Sequence, residues 1–387
     1  MWFFSQEEKE LQNVCQSFAQ KELAPKAAEL DNTETFNLEA FKKMGEIGLL
    51  GITADPEYGG AGLGATSATI VMEEFGKACA STTLSYLAHS ILCVNNIDKN
   101  ASKEQKQKYL PKLITGEQIG CMGMSEPGYG SDAIGIQTKA KLNGDSYTVN
   151  GSKMWITNAQ NSDVAYVYTR TGDHKKDLTT FIFDKTMPGY STGNPIHKMG
   201  MKASPTGELI FENAKVPVGN RVGEEGDSVY HMMRNLELER ITIAGLSLGI
   251  AKACVEQCLR YANERKQFGK SIGEFQLVQK MIAEMTTELE MMRSFLYTTA
   301  KSYDEGNVSP ARSRVLAAQV KLAIPKMTTK IALDAIQLHG GYGYSREFPV
   351  ERYMRDNKLN EIGAGTNEVM IMIIAKQLLK DSLQKMS

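Results

Sequence analysis

Two carboxylates stand two residues apart in the run Leu236-Glu237-Leu238-Glu239-Arg240, just ahead of the apolar stretch ITIAGLSLG. At roughly 100° per helical residue they point about 200° apart, so a single pocket can use only one of them. The apolar residues that follow argue against a solvated Glu–Arg pair at a helix start. Two glycine patterns suggest other chemistry. Gly60-Ala61-Gly62-Leu63-Gly64-Ala65 fits the permissive GxGxxA dinucleotide pattern. That reading needs a strand before it and an acidic residue about 20 positions later. A turn-rich loop precedes it instead, and the region near residue 85 reads TTLSYLAHS. Gly245-Leu246-Ser247-Leu248-Gly249 fits GxSxG, whose serine must sit on a sharp strand-to-helix turn. Here it lies inside an unbroken helical pattern, where small residues serve close helix packing.

Of the six cysteines (15, 79, 93, 121, 254 and 258), only Cys254 and Cys258 are close, with no histidine in ligand register beside them. Buried thiols are expected, rather than a disulfide framework or a metal site. His89, His174, His197, His231 and His339 form no HExxH pair, so no metal is expected.

These residues need elements to position them. A chain of 387 residues suggests two or three domain-sized units with a substantial core. Its 42% hydrophobic and 23% charged residues are ordinary for a globular protein. A net charge of -1 provides no global field for nucleic acid or an anionic membrane. No apolar run is long enough to span a bilayer. The start, MWFFSQEEKELQ, turns acidic at once, unlike a signal or transit peptide. A cytoplasmic protein is expected, or one of the mitochondrial matrix if the chain is a processed form.

Helical periodicity covers about Gln6 to Leu30, broken at Pro25, then Leu38–Leu49, Ser67–Cys79, Thr82–Asn96 and Lys103–Ile114. The Gly-rich segment from Leu50 to Gly64 reads as a loop. From about Ile119 to Val222 the character is β. Asn150-Gly151 suggests a tight hairpin turn, and VAYVYTR, TTFIFDK and GELIFEN read as short strands of an antiparallel sandwich or barrel. Helices return over Tyr230–Arg265, Phe275–Tyr303 and Pro310–Leu338. The expectation is an α+β, mainly α chain: an N-terminal helical domain (1–118), a middle antiparallel β domain (119–226) and a C-terminal helical bundle (227–387). It lacks the βαβ alternation of a nucleotide-binding parallel sheet.

Separated segments, in order, resemble the acyl-CoA dehydrogenase family across essentially the whole chain. They are MSEPGYGSD, KMWITN, ERKQFGKSIGEFQ, QLHGGYGYSREFPVERYMRD and EIGAGTNE. The resemblance implies FAD held between β domain and bundle, a homotetramer, and re-oxidation by an electron-transferring flavoprotein. It assigns the flavin to Met122, Met124, Ser125, Gly130, Ser131, Trp155, Ile156 and Thr157. It assigns Arg265, Phe268, Gln276, Gln337, Gly340 and Gly341 to the FAD of a neighbouring subunit, and Thr366, Asn367 and Glu368 to the flavin diphosphate. The residue types suit these roles. A Gly-bent loop with two serines can hydrogen-bond a flavin edge or phosphate, and Arg265 suits a pyrophosphate.

Most members of the family carry their catalytic base in a Tyr-Glu-Gly-Thr segment, where this chain has Gly363-Ala364-Gly365-Thr366. The isovaleryl-CoA dehydrogenase branch resembles it most, sharing EIGAGT and placing the glutamate in a Leu-acidic-Leu-Glu-Arg run. That resemblance puts the base at Glu239 and leaves the backbone N–H of Ala364 as a donor to the thioester oxygen. A glutamate packed against flavin and acyl chain would lose solvation and rise in pKa, as a base near neutral pH requires. By the same resemblance Ser131, Tyr230, Arg240, Gly363, Ala364 and Gly365 line the acyl and CoA channel. The small Gly363-Ala364 pair leaves room for a branched acyl group. Leu87 and Ile91 depart from the Gly and Asn expected in that branch, Tyr129 is large for the flavin loop, and VMIMIIAK stands where an arginine pair is usual. A cyclic or short linear acyl-CoA therefore stays open, as do an acyl-CoA oxidase and a silent scaffold homologue.

Overall fold

The computed structural model describes residues 4–386. Helix α1 (Gln6–Phe18) starts where Ser5 and Glu8 cap each other reciprocally. The chain then loosens through a π-helical turn and Pro25 into α2 (Ala27–Thr33), followed by α3 (Leu38–Glu46), α4 (Ala65–Ala78) and α5 (Ala80–Tyr86). Residues Leu87–Val94 are π-helical and run directly into α6 (Asn95–Asn100); α7 (Lys103–Ile114) closes the N-terminal part.

The GxGxxA glycines belong to the turn before α4. The N-terminus of that helix is closed by the chain's own Asp304, whose carboxylate accepts from Ala65 N (2.6 Å) and Thr66 N (2.8 Å). The amides a phosphate would need are thus already bonded to a carboxylate.

The middle region contains β1 (Gly120–Gly123), β2 (Lys139–Asn143), β3 (Ser146–Thr157), β4 (Val164–Arg170), β5 (Leu178–Asp184), β6 (Tyr190–Thr192), β7 (Thr206–Pro217) and β8 (Arg221–Val222). They form one sheet in the order β6-β7-β3-β2-β4-β5-β8, with β1 also on β4. The sheet is mixed, which corrects the purely antiparallel expectation: β1 pairs parallel with β4, and β2 meets β4 in parallel register at Lys139 and Arg170. β1 enters straight from α7 rather than through a hairpin, so nothing forces it to run against β4.

The hairpin turn is also corrected. Asn143 pairs with Ser146, so the two-residue turn is Gly144-Asp145. Asn150 and Gly151 lie inside β3, at a register shift against β7. Gly151 has φ +139 there, and Asn150 Oδ1 accepts from Asn213 N at 2.8 Å across the bulge.

The bundle consists of α8 (Ser228–Glu264), α9 (Gln276–Glu305), α10 (Pro310–His339), α11 (Val350–Asn360) and α12 (Asn367–Met386), with a small hairpin of β9 (Lys266–Gln267) and β10 (Lys270–Ser271) after α8. Gly249, within the GxSxG pattern, explains its own small size: a Cβ there would lie 2.2 Å from the Glu73 carbonyl oxygen on α4. Buried Glu73 also accepts from Arg293 (2.9 Å) and Tyr297 (2.7 Å) on α9, and neighbouring Glu74 accepts from Lys252 on α8 at 2.8 Å. This network pins α4, α8 and α9 together, so side chains carried by α8 rest on a fixed support. Among the described residues no helix is long and apolar enough to cross a membrane.

Candidate active site

Near its N-terminal end α8 turns from a mixed face to an almost wholly buried one, and Glu239 falls on the buried side. Its side chain is 6% exposed, and its Oε2 has no hydrogen-bond partner among the described residues. Burial pushes its pKa from the ordinary 4.5 up to about 7, against the opposing pull of the Arg240 and Lys321 cations. Glu237 faces elsewhere, toward the start of α10, where Arg314 Nε and Ser313 Oγ each lie 3.4 Å from its carboxylate. The two glutamates occupy separate environments, as their spacing requires.

Three elements connect with this part of α8. The π-helical segment buries Leu87 and Ile91 in the same core as Leu238 and Ile241 of α8. Its widened turn leaves the Ile91 carbonyl to accept from Asn235 Nδ2 at 2.9 Å, one helical turn before Glu239. From the sheet, Met122 and Tyr168 pack with Met232 and Leu236 in a second core cluster, with Met124 and Tyr129 at its margin. The buried hydroxyl of Tyr168 feels the Glu239 charge.

The third is the turn between α11 and α12, whose Gly365 carbonyl accepts from Lys321, a cation that acts on Glu239. Ala364 and Gly365 take left-handed conformations, φ +57 and +92, an uncommon one for alanine. A Cβ added at Gly363 would make ordinary van der Waals contact with Leu359, whose carbonyl oxygen would lie 3.6 Å away. Asn367 closes the turn by donating its N–H to the Glu361 carbonyl (3.1 Å) and its side-chain amide to the Glu361 carboxylate (3.1 Å). Thr366 Oγ1 accepts from Val369 N at 3.3 Å as an N-terminal cap. Glu368 is exposed in the first turn of α12.

On the sheet side, the loop from Met124 to Asp132 is tied down from beneath. Buried Glu126 accepts from Gln137 N (2.6 Å), Thr138 N (2.8 Å) and Lys153 Nζ (2.8 Å), while Lys153 also reaches the Met124 carbonyl (3.2 Å). Met154 N donates to the Ser125 carbonyl at 2.8 Å, joining this loop to β3. Gly130 and Ser131 are exposed on it, and Ser125 is half-buried. Beside it Trp155 is held at φ +65 and is 59% exposed, with Ile156 buried and Thr157 half-buried. An indole forced out of a strand in a strained conformation offers a flat apolar face, backed by a loop of hydroxyls and amides. Such a cradle fits an isoalloxazine ring.

A second group lies apart. Arg265, Gly340 and Gly341 line a cavity of about 550 Å³ with Tyr261, His339 and Tyr342, the Arg265 guanidinium 5.5 Å from the Tyr342 ring centre. Phe268, at φ +52 in the β9–β10 turn, is 93% exposed, and Gln276 and Gln337 are exposed nearby in sequence on α9 and α10. Tyr230 is exposed at the start of α8, and Arg240 is buried beside Glu239. The motif reading passes over Glu126, Lys153, Tyr168 and Lys321. Only Lys321 leaves a trace in the sequence, as a lone charge in LAAQVKLAIP.

Three family models match in succession: "Acyl-CoA dehydrogenase, N-terminal domain" over residues 5–117, "middle domain" over 121–214 and "C-terminal domain" over 227–379. The isovaleryl-CoA dehydrogenase of Pongo abelii is 44% identical over 97% of this chain and 90% of its own length. A solved chain from work titled for the electron transferring flavoprotein of Acidaminococcus fermentans superposes with TM-score 0.94 at 38% identity, covering 98% of this chain and 99% of the other. A chain from the FAD complex of PigA superposes with TM-score 0.92 at 30% identity, over 97% of this chain and 98% of its own.

Proposed function

The chain belongs to the acyl-CoA dehydrogenase family, and from that premise we propose that Glu239 is the base that takes the α-proton of a short, branched, isovaleryl-like acyl-CoA. The observation that carries this is the state of Glu239: buried on a fixed helix, one oxygen unpartnered, with a pKa raised to about 7 by burial. Such a carboxylate is half ionised at neutral pH and, being unsolvated, keeps its basicity for the substrate.

The α-proton passes to the carboxylate of Glu239 as negative charge grows on the thioester oxygen. The N–H of Ala364 is the protein's donor to that oxygen; a backbone amide serves there whatever its side chain. When bound, FAD accepts the β-hydride. Met122, Met124, Ser125, Gly130, Ser131, Trp155, Ile156 and Thr157 would hold its ring end, and Thr366, Asn367 and Glu368 would face the diphosphate. Arg265, Phe268, Gln276, Gln337, Gly340 and Gly341 would serve the FAD of a neighbouring subunit, a reading supported by the cavity that Arg265, Gly340 and Gly341 line, whose walls do not include Glu239. Arg240, Tyr230, Gly363 and Gly365 line the acyl and CoA channel. The small size of the Gly363-Ala364 pair favours a branched acyl group, and the identity with isovaleryl-CoA dehydrogenases points the same way.

A homotetramer would cover the apolar side chains left bare on α12, among them Ile371, Met372, Leu379 and Leu383. An electron-transferring flavoprotein is the proposed acceptor. Six free, buried cysteines suit a reducing compartment, the cytoplasm or a mitochondrial matrix. The test is the Glu239→Gln enzyme mixed with isovaleryl-CoA. Flavin bleaching at the parental rate would overturn the assignment.

A further inference from the structure

We propose that Lys321 is a positioning residue for this reaction. It holds the Ala364–Gly365 turn by its backbone and sets the charge environment of Glu239, so that the oxyanion donor and the base are placed by one side chain. This rests on the reading of Glu239 as the base.

Lys321 lies on α10 in a run of alanine, valine, leucine and isoleucine and is fully buried. Its ammonium donates to the carbonyl oxygen of Gly365, the residue directly after Ala364. A lysine ammonium in such surroundings loses its hydration and needs compensation. Burial draws its pKa down to about 8, and the charges that act on it are Glu239, Arg240, Glu361 and Glu368. Those acting on Glu239 are Arg240 and Lys321. Arg240 follows Glu239 on α8 itself, whereas Lys321 approaches from α10 and also touches the turn.

The contact matters because of the backbone it fixes. Gly365 at φ +92 and Ala364 at φ +57 form a left-handed pair, and an alanine in that region persists only where its surroundings impose it. One peptide unit separates the Gly365 carbonyl from the Ala364 N–H, and the left-handed conformations of these two residues set their relative direction, so fixing that carbonyl restrains the turn that presents the amide. Lys321 therefore ties the direction of the Ala364 N–H to α10, the helix that also packs against α8. Its positive charge favours the ionised form of Glu239 and opposes the effect of burial.

The test uses the FAD-loaded enzyme with Lys321→Met, Lys321→Gln and Lys321→Arg. The first readout is the ionisation of Glu239, followed by its infrared carboxyl band and assigned by the band's absence in Glu239→Gln. Loss of the cation in the Met and Gln variants should raise the midpoint by about one pH unit or more, while Arg should keep it near the parental value. The second readout compares affinity for isovaleryl-CoA with that for its thioether analogue, in which a methylene replaces the carbonyl. Lys321→Met should weaken the thioester roughly tenfold and leave the thioether alone, the scale of one lost charge-assisted contact. Gln, which can still donate to Gly365, should retain most of the preference. If the midpoint and the thioester preference both stay parental in Lys321→Met and Lys321→Gln, the proposal is wrong. An unfolded Lys321→Met leaves the Gln and Arg pair to decide it. Failure of the Glu239 reading shows separately, as an active Glu239→Gln enzyme.

Discussion

Replacing Glu239 by Gln should stabilise the protein while it disables it, and both effects should grow as pH rises through about 7. The glutamine amide has nearly the shape of the protonated carboxyl but cannot ionise. In the folded chain the carboxyl has a pKa of about 7, against the ordinary 4.5. Between those values the native state holds a proton that the unfolded chain has released. The stability contributed by this group is thus fully present below pH 4.5 and is lost as pH rises through 7. At ~1.4 kcal/mol per pH unit, the parent should carry a penalty of roughly 3 kcal/mol by pH 8 that the variant lacks. The assay is the difference in urea midpoint between variant and parent at pH 5 and pH 8, with FAD in the same large excess so that cofactor linkage cancels. The difference should be small at pH 5 and clearly favour Glu239→Gln at pH 8. In the same preparations, flavin bleaching by isovaleryl-CoA should fall on the order of 10²–10⁴-fold in the variant, and in the parent should decline as pH drops through about 7. Equal midpoints at both pH values, or a variant weaker at pH 8, would refute the claim that burial outweighs the cations acting on this carboxylate.

Glu237→Gln should lose far less rate than Glu239→Gln, because its carboxylate points to Arg314 and Ser313; equal losses under single-turnover bleaching would contradict the facing of the helix. Adding Ala364→Glu to Glu239→Gln should restore part of the bleaching, best with unbranched acyl groups, since the new side chain enters the space beside Gly363. No recovery with any chain length would count against a shared α-carbon. Arg265→Ala should weaken FAD retention and tetramer stability together, read by flavin absorbance and sedimentation; loss of one alone would argue against a shared site. Branched five-carbon acyl-CoA should bleach the flavin faster than octanoyl-CoA, and a preference for the long linear chain would reassign the branch.

The helices were legible because each has a core face and many have a cap that can be read, such as Ser5 with Glu8 and Ser102 with Gln105. The middle sheet was legible as strands but not as a topology. Two Asn-Gly pairs occur, at 143–144 and 150–151, and the dipeptide alone favours a turn at either. What decides is the strand around the second pair: Tyr147 and Val149 point inward before it and Lys153 and Ile156 after it, so a bulge keeps one long strand half-buried where a turn would cut it short. Likewise the stretch from Thr82 to Asn96 reads as an ordinary helix, and its π-helical turn depends on packing against α8 that no local pattern encodes. Glu239 and Glu237 could be separated by angle alone. Lys321 could not be placed, because its partner is a backbone carbonyl 44 residues away.

The same physics bears on the proposed placement of the base on α8 rather than on the turn after α11. A loop carboxylate must be aimed by its own backbone, whereas Glu239 is aimed by a 37-residue helix held through Glu73, Glu74 and the close approach at Gly249. On the proposed assignment, a carboxylate on the helix lets the turn be small, and Gly363-Ala364 would give the acyl group space without losing the Ala364 amide. The turn then needs an external hold, and Lys321 gives it one while placing a cation near the base. Burial raises the pKa of Glu239 and lowers that of Lys321, so both charges lose stability by being there. Each is retained near neutral pH partly by the other. A site of this kind should respond to loss of either partner in the ionisation of the one that remains, which a pair of independent structural residues would not do.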